Sequence, residues 1–316
     1  MDRHGSRTVM KAAAIDIGTN TILLLIAEIN ANGISSVLHD EQVIARLGKG
    51  VDADRMINRD TFLRVEGFLR RYKETCNHFN VDTICAVGTS AVRDAKNRDE
   101  FIAFIKDNTG IEIEILSGEA EAQWTYRGGI SEFIGRAERY SVIDIGGGST
   151  EIITGDLTGI LSKVSIDLGS VRITERILKT SPPEVSALIN AHDVIISHIP
   201  KEHVKNIPST FAVGVAGTLT TLAALHQQLP EYIPEKVSGY TLTAVDVGSI
   251  FGLLKDKSLQ QIAAFPQISA GRADILLAGI MILIGYMEIS GLKHITVSDR
   301  GLRYGIIYRT VEQTFQ

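Results

Sequence analysis

Residues 141–151 read Ser-Val-Ile-Asp-Ile-Gly-Gly-Gly-Ser-Thr-Glu and are the most informative part of this chain about its fold. An apolar run carries Asp144 near its end, three glycines follow, and a β-branched run resumes after Glu151. This order predicts a strand, a glycine turn and a second strand. Consecutive glycines let a ligand approach the backbone and let N–H groups point into one concavity, which suits a phosphate. A hairpin turn with ordinary polar residues is the alternative.

A second copy of this pattern lies near the start of the chain. Residues 12–29 read Ala-Ala-Ala-Ile-Asp-Ile-Gly-Thr-Asn-Thr-Ile-Leu-Leu-Leu-Ile-Ala-Glu-Ile. An apolar strand again ends in Asp-Ile-Gly, small polar residues follow, and an apolar strand resumes. Each copy then reaches a turn signal, at 30–33 and 155–159, and a third apolar stretch. Two related halves of this kind predict a ligand held between two domains.

The composition is typical of a soluble globular protein. The chain has 316 residues, of which 44% are hydrophobic and 22% charged, with a formal net charge of −5. Because no basic run is present, duplex nucleic acid is not an expected partner. The longest apolar runs, 22–27 and 275–284, are too short to span a bilayer. The first eleven residues lack a secretory apolar region, so we expect a cytoplasmic protein without a membrane partner.

Cysteines and histidines indicate neither a metal site nor a disulfide framework. Cys76 and Cys85 have no metal-ligand spacing, and we expect both to be reduced thiols. The histidines are scattered and match no ligand spacing. These patterns argue against a zinc site and against a histidine-based catalytic triad.

The remaining patterns predict two related α/β halves, each with three strands followed by helices and strands, as in a ribonuclease-H-like unit. A loop through Gly48 and Gly50 follows the first three strands, and 230–270 reads as a more variable region with turns. Predicted strands are 12–17, 21–29, 33–39, 81–87, 112–116, 140–145, 150–155, 160–168, 211–215 and 295–298. Predicted helices are 57–79, 97–108, Ser117 (as N-cap) to Trp124, 170–179, 183–202, Thr218 to about 229, 272–286 and a last one from 301.

The paired turns resemble the phosphate loops of the actin, Hsp70 and sugar-kinase superfamily. Within it, the chain resembles the short form of the exopolyphosphatase/guanosine pentaphosphate phosphatase (Ppx/GppA) family over almost its whole length. Further matching stretches follow in family order: Gly-Thr-Ser-Ala-Val-Arg-Asp-Ala at 88–95, Gly-Glu-Ala-Glu-Ala at 118–122, Leu-Gly-Ser-Val-Arg at 168–172, Gly-Val-Ala-Gly-Thr at 214–218, Gly-Arg-Ala-Asp at 271–274 and Ser-Asp-Arg-Gly-Leu-Arg at 298–303.

The resemblance implies two actin-like domains with a cleft between them and a last helix that packs back on the first domain. The resulting domain prediction is 1–126 plus about 304–316 for the first domain and 127–303 for the second. A homodimer is a further expectation from the family.

Hydrolysis of a phosphoanhydride needs a cradle for the phosphoryl oxygens, a cation, and a group that orients or deprotonates water. Gly217 and Thr218 follow a strand and open a helix, where N–H groups and the helix dipole favour an anion; plain capping by Thr218 is the alternative. Ser149 can likewise be only a turn residue. The predicted cradle is Gly146, Gly147, Gly148, Ser149 and Thr150, with Gly18, Thr19, Asn20 and Thr21 as the opposing jaw.

The resemblance makes Glu121 the candidate general base, because the family's catalytic glutamate immediately precedes an alanine in the motif at 118–122. Acidic residues in a first helical turn also occur simply because they complement the helix dipole. Glu119 lies about 200° away around the helix, so both carboxylates cannot face one ligand. Spacing alone does not choose between them.

Carboxylates near the two turns are predicted to hold Mg²⁺ or another divalent cation together with substrate phosphates. Asp144 and Glu151 are the main candidates, and Glu151 is also predicted to contact the attacking water. Asp16 is the third carboxylate, unless it only satisfies its own glycine turn.

Two arginines are predicted to bind phosphoryl groups, because the guanidinium fork matches phosphate oxygens. Arg93 follows a buried strand, which is where an α/β ligand site lies. Arg272 is predicted to begin a helix after Gly271. Surface salt bridges to Asp94 and Asp274 are the alternatives.

The resemblance implies a Mg²⁺-dependent phosphohydrolase that releases terminal phosphate from inorganic polyphosphate or guanosine pentaphosphate. Leu23 stands where the family's first motif commonly has an arginine that engages additional phosphates, which puts guanosine-nucleotide preference in doubt. A non-catalytic sensor of polyphosphate or guanosine tetraphosphate is the alternative, and it would not need Glu121. A kinase of the same superfamily would need an adenosine pocket and an acceptor aspartate, which the sequence does not identify.

Overall fold

The computed structural model describes residues 9–48, 55–269 and 271–315. The chain divides into two compact units, one formed by Met1–Gly128 with Leu302–Gln316 and the other by Gly129–Gly301. Each unit contains one β-sheet with helices, so the predicted α/β fold class is confirmed. The domain limits deduced from the sequence remain a prediction. Gly50, placed in a loop by the sequence, lies outside the described residues.

The first unit contains a five-stranded sheet in which an antiparallel meander is extended by parallel strands. Its strands are β1 (Met10–Ile17), β2 (Thr21–Asn30), β3 (Gly33–Ile44), β4 (Thr83–Gly88) and β5 (Ile113–Ile115). The order across the sheet is β3-β2-β1-β4-β5. β2 pairs antiparallel with β1 and β3, and β4 pairs parallel with β1 and β5. This arrangement confirms the predicted meander and the ribonuclease-H-like order of elements.

Helices cover this sheet because their apolar residues recur on one face. They are α1 (Arg59–His78), α2 (Ser90–Asp94), α3 (Arg98–Thr109) and α4 (Gly118–Gly129). Phe62 and Tyr72 of α1 are buried in the same core as Phe101 of α3. Ser117 accepts a hydrogen bond from the backbone N–H of Ala120 at 3.2 Å, which confirms it as the cap of α4. α4 extends five residues beyond the predicted end at Trp124.

The second unit repeats the plan on a six-stranded sheet. Its strands are β6 (Tyr140–Ile145), β7 (Thr150–Gly155), β8 (Ile160–Ile166), β9 (Phe211–Val215), β10 (Thr241–Thr243) and β11 (His294–Val297). β6, β7 and β8 form an antiparallel meander, and β9 pairs parallel with β6. β11 pairs parallel with β9, and β10 adds antiparallel at the edge.

The helices of the second unit differ from the predicted ones at several ends. They are α5 (Ser170–Arg176), α6 (Val185–His198), α7 (Lys201–Val204), α8 (Ala216–His226), α9 (Pro234–Val237), α10 (Ala244–Leu254), α11 (Leu259–Ala263) and α12 (Leu276–Ser290). The predicted helix 183–202 is interrupted before Pro200, which lacks an N–H and precedes α7. α8 begins at Ala216, two residues before the predicted Thr218. α12 begins after a turn in which the Arg272 carbonyl accepts from the N–H groups of both Ile275 and Leu276.

The last helix, α13 (Leu302–Phe315), belongs to the first unit. Its Ile306 and Ile307 are fully buried in a cluster with Ala12, Ala14 and Leu25 of β1 and β2. The prediction that this helix packs on the first domain is therefore confirmed. Within the described ranges, no helix is long and apolar enough to cross a membrane.

Candidate functional site

The glycine turns of the two units have the same backbone hydrogen bond. The N–H of Gly18 donates to the carbonyl of Thr21 at 3.0 Å, and the N–H of Gly146 donates to the carbonyl of Ser149 at 3.0 Å. Each bond closes a four-residue turn between the first and second strands of its unit. The sequence-level duplication is thus a duplication of backbone geometry.

The turn of the second unit brings its predicted phosphate ligands together. Gly146, Gly147 and Gly148 form the turn, and Ser149 and Thr150 are almost fully buried beside it. The hydroxyl of Thr150 donates to the carbonyl of Leu168 at 2.5 Å. In this structure that hydroxyl therefore stabilises the surrounding backbone.

The turn of the first unit is held by side-chain and backbone contacts. Thr19 and Asn20 are buried, and the hydroxyl oxygens of Thr19 and Ser90 lie 2.9 Å apart. The N–H of Thr89 donates to the carbonyl of Ile17 at 3.2 Å. The start of α2 is therefore attached to the turn that carries the predicted jaw, Gly18, Thr19, Asn20 and Thr21.

A row of three polar residues crosses the meander of the second unit. Asp144 of β6 pairs with Glu151 of β7, which pairs with Ser165 of β8. Glu151 is 2% exposed, and the Ser165 hydroxyl donates to its Oε1 at 2.7 Å. Side chains at directly paired positions share one face of a sheet, and like charges there are destabilising. A cation beside this pair would offset both that repulsion and the burial of Glu151.

This donor set fits a hard divalent cation. Mg²⁺ in phosphate-processing proteins is bound by one or two carboxylates plus substrate phosphates and waters. Asp144 and Glu151 provide that number of carboxylates. A site with three or more protein ligands is not present in the described parts of the chain, which contain no such cluster of His, Cys, Asp or Glu. Asp16 occupies the corresponding position in the first unit, but its partner across the strands there is Leu23.

The buried Glu121 forms an ion pair with the partly buried Arg93 in the first unit. Nη1 of Arg93 donates to Oε2 of Glu121 at 2.7 Å and to the carbonyl of Leu116 at 3.1 Å. Glu121 is 8% exposed, whereas Glu119 in the same helical turn is exposed. Asp94, the alternative partner of Arg93, is more distant, with 3.9 Å between its Oδ1 and Nε of Arg93. Spacing left the two glutamates equivalent, and tertiary packing distinguishes them.

The surroundings of Glu121 shift its titration. Burial raises the pKa of the Glu121 carboxyl above its ordinary value, and the hydrogen bond and charge of Arg93 oppose that shift. A general base is most effective when its pKa lies near the working pH. Among the predicted site residues, Glu121 thus has the burial and the cationic partner expected of such a base.

Arg272 lies across the start of α8. A Cβ atom added to Gly217 would overlap the guanidinium of Arg272, so only glycine leaves room for the arginine there. Burial lowers the pKa of this guanidinium, although arginine stays protonated at neutral pH. A half-buried cation at a positive helix terminus is electrostatically suited to a bound anion.

The residues around Gly217 show that the helix starts differently from the sequence-based prediction, in which Thr218 opens it. Ala216 has a left-handed φ of 68°, a conformation that costs a non-glycine residue about 1–2 kcal/mol. Thr218 is buried inside α8 and lies against Gly279 of α12, where an added Cβ would meet its side chain. Thr218 therefore does not cap the helix. Its predicted phosphate contact remains a prediction.

Two residues beside the candidate site were not assigned roles from the sequence. Ser165 contacts Glu151 only because the register of β7 and β8 aligns them, and no local motif reveals such a pairing. Gly169 lies in the motif 168–172, for which the sequence pattern predicts no function. A Cβ at Gly169 would lie 2.6 Å from the carbonyl carbon of Gly148 and closer still to the carbonyl of Gly147.

Known proteins resemble this chain in sequence and in fold. The model of the Ppx/GppA phosphatase family matches residues 25–314. Exopolyphosphatase 2 of Mycobacterium tuberculosis is 33% identical over 311 residues, covering 94% of this chain and 97% of that protein. An exopolyphosphatase structure from Cytophaga hutchinsonii superposes with a TM-score of 0.89 at 28% identity, covering 96% of this chain and 98% of the other. The Aquifex aeolicus Ppx/GppA family member superposes with a TM-score of 0.80 at 29% identity, covering 96% and 99%.

Proposed function

The chain belongs to the Ppx/GppA phosphatase family, and from that premise we propose that it hydrolyses the terminal phosphoanhydride bond of inorganic polyphosphate. One observation carries the proposal within this chain. Glu121 is buried against Arg93 at 2.7 Å, and its pKa is raised by burial. A non-catalytic phosphate sensor would need the phosphate-binding turns and arginines, but it would not need a buried base.

Phosphate binding is assigned to the turns and arginines described above. The second-unit turn at 146–149 is assigned to a phosphoryl group, because the backbone N–H groups of a glycine turn suit phosphoryl oxygens. Arg272 and the start of α8 add positive charge in the same unit, while Gly18 to Thr21 and Arg93 are the assigned phosphate ligands of the first unit. Because the net charge of the chain is −5, a polyanion must be bound by such local groups and not by the overall field.

The proton transfer is assigned to Glu121. In the proposed step, its carboxylate accepts a proton from water as the water oxygen forms a bond to the terminal phosphorus. The anhydride P–O bond breaks, its electron pair stays on the bridging oxygen, and the shortened polyphosphate leaves. Arg93 favours the ionised form of Glu121 and orients its carboxylate.

A divalent cation, proposed to be Mg²⁺, would be held by Asp144 and Glu151, with the Ser165 hydroxyl orienting Glu151. When bound, such a cation neutralises charge on phosphoryl oxygens. Asp16 is proposed as a further carboxylate for it. Homodimerisation and a cytoplasmic location are expectations that accompany the proposal.

Guanosine pentaphosphate is the second substrate to consider, since the family name includes both activities. Leu23 of β2 is paired directly with Asp16 of β1. An apolar side chain at this position offers no charge to additional phosphates of a nucleotide. We therefore propose polyphosphate as the preferred substrate of this chain.

The test is phosphate release by the purified full chain with Mg²⁺ from long-chain polyphosphate, tripolyphosphate and guanosine pentaphosphate. The proposal predicts release from polyphosphate, and loss of release when the cation is chelated. Faster release from guanosine pentaphosphate would overturn the substrate preference. Tight binding of polyphosphate without any release would favour the sensor.

A further inference from the structure

The segment that follows the third strand of the second unit contacts the glycine turn through its backbone. The N–H of Ser170 donates to the carbonyl of Gly146 at 2.9 Å. The N–H groups of Val171 and Arg172 donate to the carbonyl of Gly147 at 2.9 and 3.2 Å. These donors belong to the first turn of α5, where N–H groups have no partner within the helix. The start of α5 therefore fixes two successive carbonyl groups of the turn.

Fixing a carbonyl also fixes an N–H, because a trans peptide is planar and its C=O and N–H point in opposite directions. The carbonyls of Gly146 and Gly147 face α5. The N–H groups of Gly147 and Gly148, which belong to the same two peptides, consequently face the opposite side of the turn. A pair of preorganised N–H groups is the arrangement that stabilises charge on a reacting phosphoryl group.

Gly169 makes this contact possible. A Cβ at this position would lie 2.6 Å from the carbonyl carbon of Gly148 and closer still to the carbonyl of Gly147, distances that real Cβ atoms essentially never show. Its φ of −129° is accessible to any residue. Glycine is therefore required here by close approach of two backbones and not by conformation.

The first unit has a related arrangement, in which the segment after β3 holds the carbonyls of the second and third turn residues instead of the first and second. After β3, the N–H of Gly48 donates to the carbonyl of Thr19 at 2.7 Å, and those of Ala45 and Arg46 donate to the carbonyl of Asn20 at 2.9 Å. Thr19 is the second residue of its turn, as Gly147 is of the other. A Cβ at Gly48 would overlap the Thr19 methyl group and lie 3.3 Å from the Thr19 carbonyl oxygen.

We propose that Gly169 and Gly48 are positioning residues for phosphoryl transfer: each lets the segment after a third strand hold the carbonyls of a phosphate turn, so that the turn presents its N–H groups to substrate. This inference rests on the proposed function and deepens it, since it names the residues that preorganise the turns. It also gives a role to the motif at 168–172.

Gly169→Ala is the direct test, and Gly248→Ala is its matched control. Gly248 lies in α10 of the same unit, and an added Cβ there meets nothing within 4 Å. Gly169→Ala should lower kcat/KM for long-chain polyphosphate about 100-fold, since small misplacements of reacting groups have effects of that order. It should also raise the competitive inhibition constant of orthophosphate about tenfold, a quantity that does not depend on the fraction of folded enzyme.

Gly48→Ala provides a second test with an internal rescue. The methyl group added by Gly48→Ala would collide mainly with the methyl group of Thr19. Thr19→Ser removes that methyl group and keeps the hydroxyl beside Ser90. We expect Gly48→Ala to impair kcat/KM more in the parent background than in the Thr19→Ser background. Additive effects in this double-mutant cycle would contradict the proposed contact.

The outcomes separate this inference from the function on which it rests. If the parent releases phosphate and Gly169→Ala behaves as Gly248→Ala does, the positioning role is wrong and the function stands. If the parent neither releases phosphate nor binds orthophosphate, the function fails and the inference fails with it. If Gly169→Ala does not fold, the cycle at Gly48 and Thr19 decides.

Discussion

Replacing Arg93 with methionine should move the acid limb of the pH–rate profile to higher pH. Nη1 of Arg93 donates to Oε2 of Glu121 at 2.7 Å, and that carboxylate is buried. Methionine keeps an unbranched side chain but removes the charge and the donor. The protonated form of Glu121 is then favoured, so its already raised pKa rises further.

The size of this shift follows from the lost interaction. A hydrogen bond to a charged group contributes about 1.5–3 kcal/mol, and one pKa unit corresponds to about 1.36 kcal/mol. Losing this interaction should therefore raise the pKa of Glu121 further above its ordinary value. On the acid limb, kcat/KM should fall about 10–100-fold and should recover in part at higher pH, because the ionised base is then restored.

The assay is the initial rate of phosphate release from long-chain polyphosphate, with kcat/KM measured from about pH 5 to about pH 10. Arg70→Met is the matched control, because Arg70 pairs with Glu66 in the same unit at an exposed position. That variant should keep the parent profile. A uniform loss of rate in Arg93→Met with an unmoved acid limb would show that Glu121 is not the titrating base.

Three further changes test other parts of the structure. Gly217→Ala should displace the Arg272 guanidinium and match the kinetic defect of Arg272→Ala. Ser165→Ala should raise the Mg²⁺ concentration for half-maximal activity about tenfold, because it removes the hydroxyl that orients Glu151. Glu121→Gln should change the pH dependence of thermal unfolding. The pKa of Glu121 in the folded protein is raised above the ordinary 4.5. The parent should therefore lose stability relative to the variant as the pH rises from 4.5 through that raised pKa.

Two of these changes have a matched control variant on the same chain. Gly252→Ala adds a methyl group in open space and should leave kinetics unchanged. Ser162→Ala changes another serine of β8, one that contacts His203 and not a carboxylate, and should not alter Mg²⁺ activation. Parent and Glu121→Gln unfolding midpoints that stay parallel across the pH range would contradict the raised pKa.

The sequence predicted the two meanders because their signals are local. Alternating and β-branched apolar runs, interrupted by Asp-Ile-Gly, determine strand, turn and strand within about ten residues. The observed strands β1 to β3 and β6 to β8 follow from that pattern. The return of α13 to the first unit came from family resemblance, since no local signal tells a helix which sheet it will cover.

The region 230–270 shows what was missed. It contains β10, α9, α10 and α11, whereas the sequence pattern predicts only a variable region with turns there. Capping boxes begin α10 and α11, at Thr243 with Asp246 and at Ser258 with Gln261. The second is a Ser-x-x-Gln pattern that is recognisable in sequence. The start of α11 could thus be recognised from the sequence. The four-residue α9 and the five-residue α11 are, however, too short to show a helical period.

In the candidate site, too, the residues with local sequence signals could be predicted, and those that depend on long-range contacts could not. The turns are local, so the residues 146–150 and 18–21 could be proposed from sequence. Burial of Glu121 and exposure of Glu119 depend on Arg93, which is 28 residues away in sequence, and spacing within one helix cannot supply that contact. The close approach of Gly169 to the turn also requires the folded register.

The most direct test of the central claim compares phosphate release from long-chain polyphosphate by Glu121→Gln and Glu119→Gln at equal concentrations of folded protein. Both variants make the same change in the same helical turn, but only Glu121 is buried against Arg93. Loss of a general base predicts a rate about 10²–10⁴-fold lower for Glu121→Gln, with Glu119→Gln close to the parent. Equal rates for the two variants would contradict the assignment of Glu121 as the base.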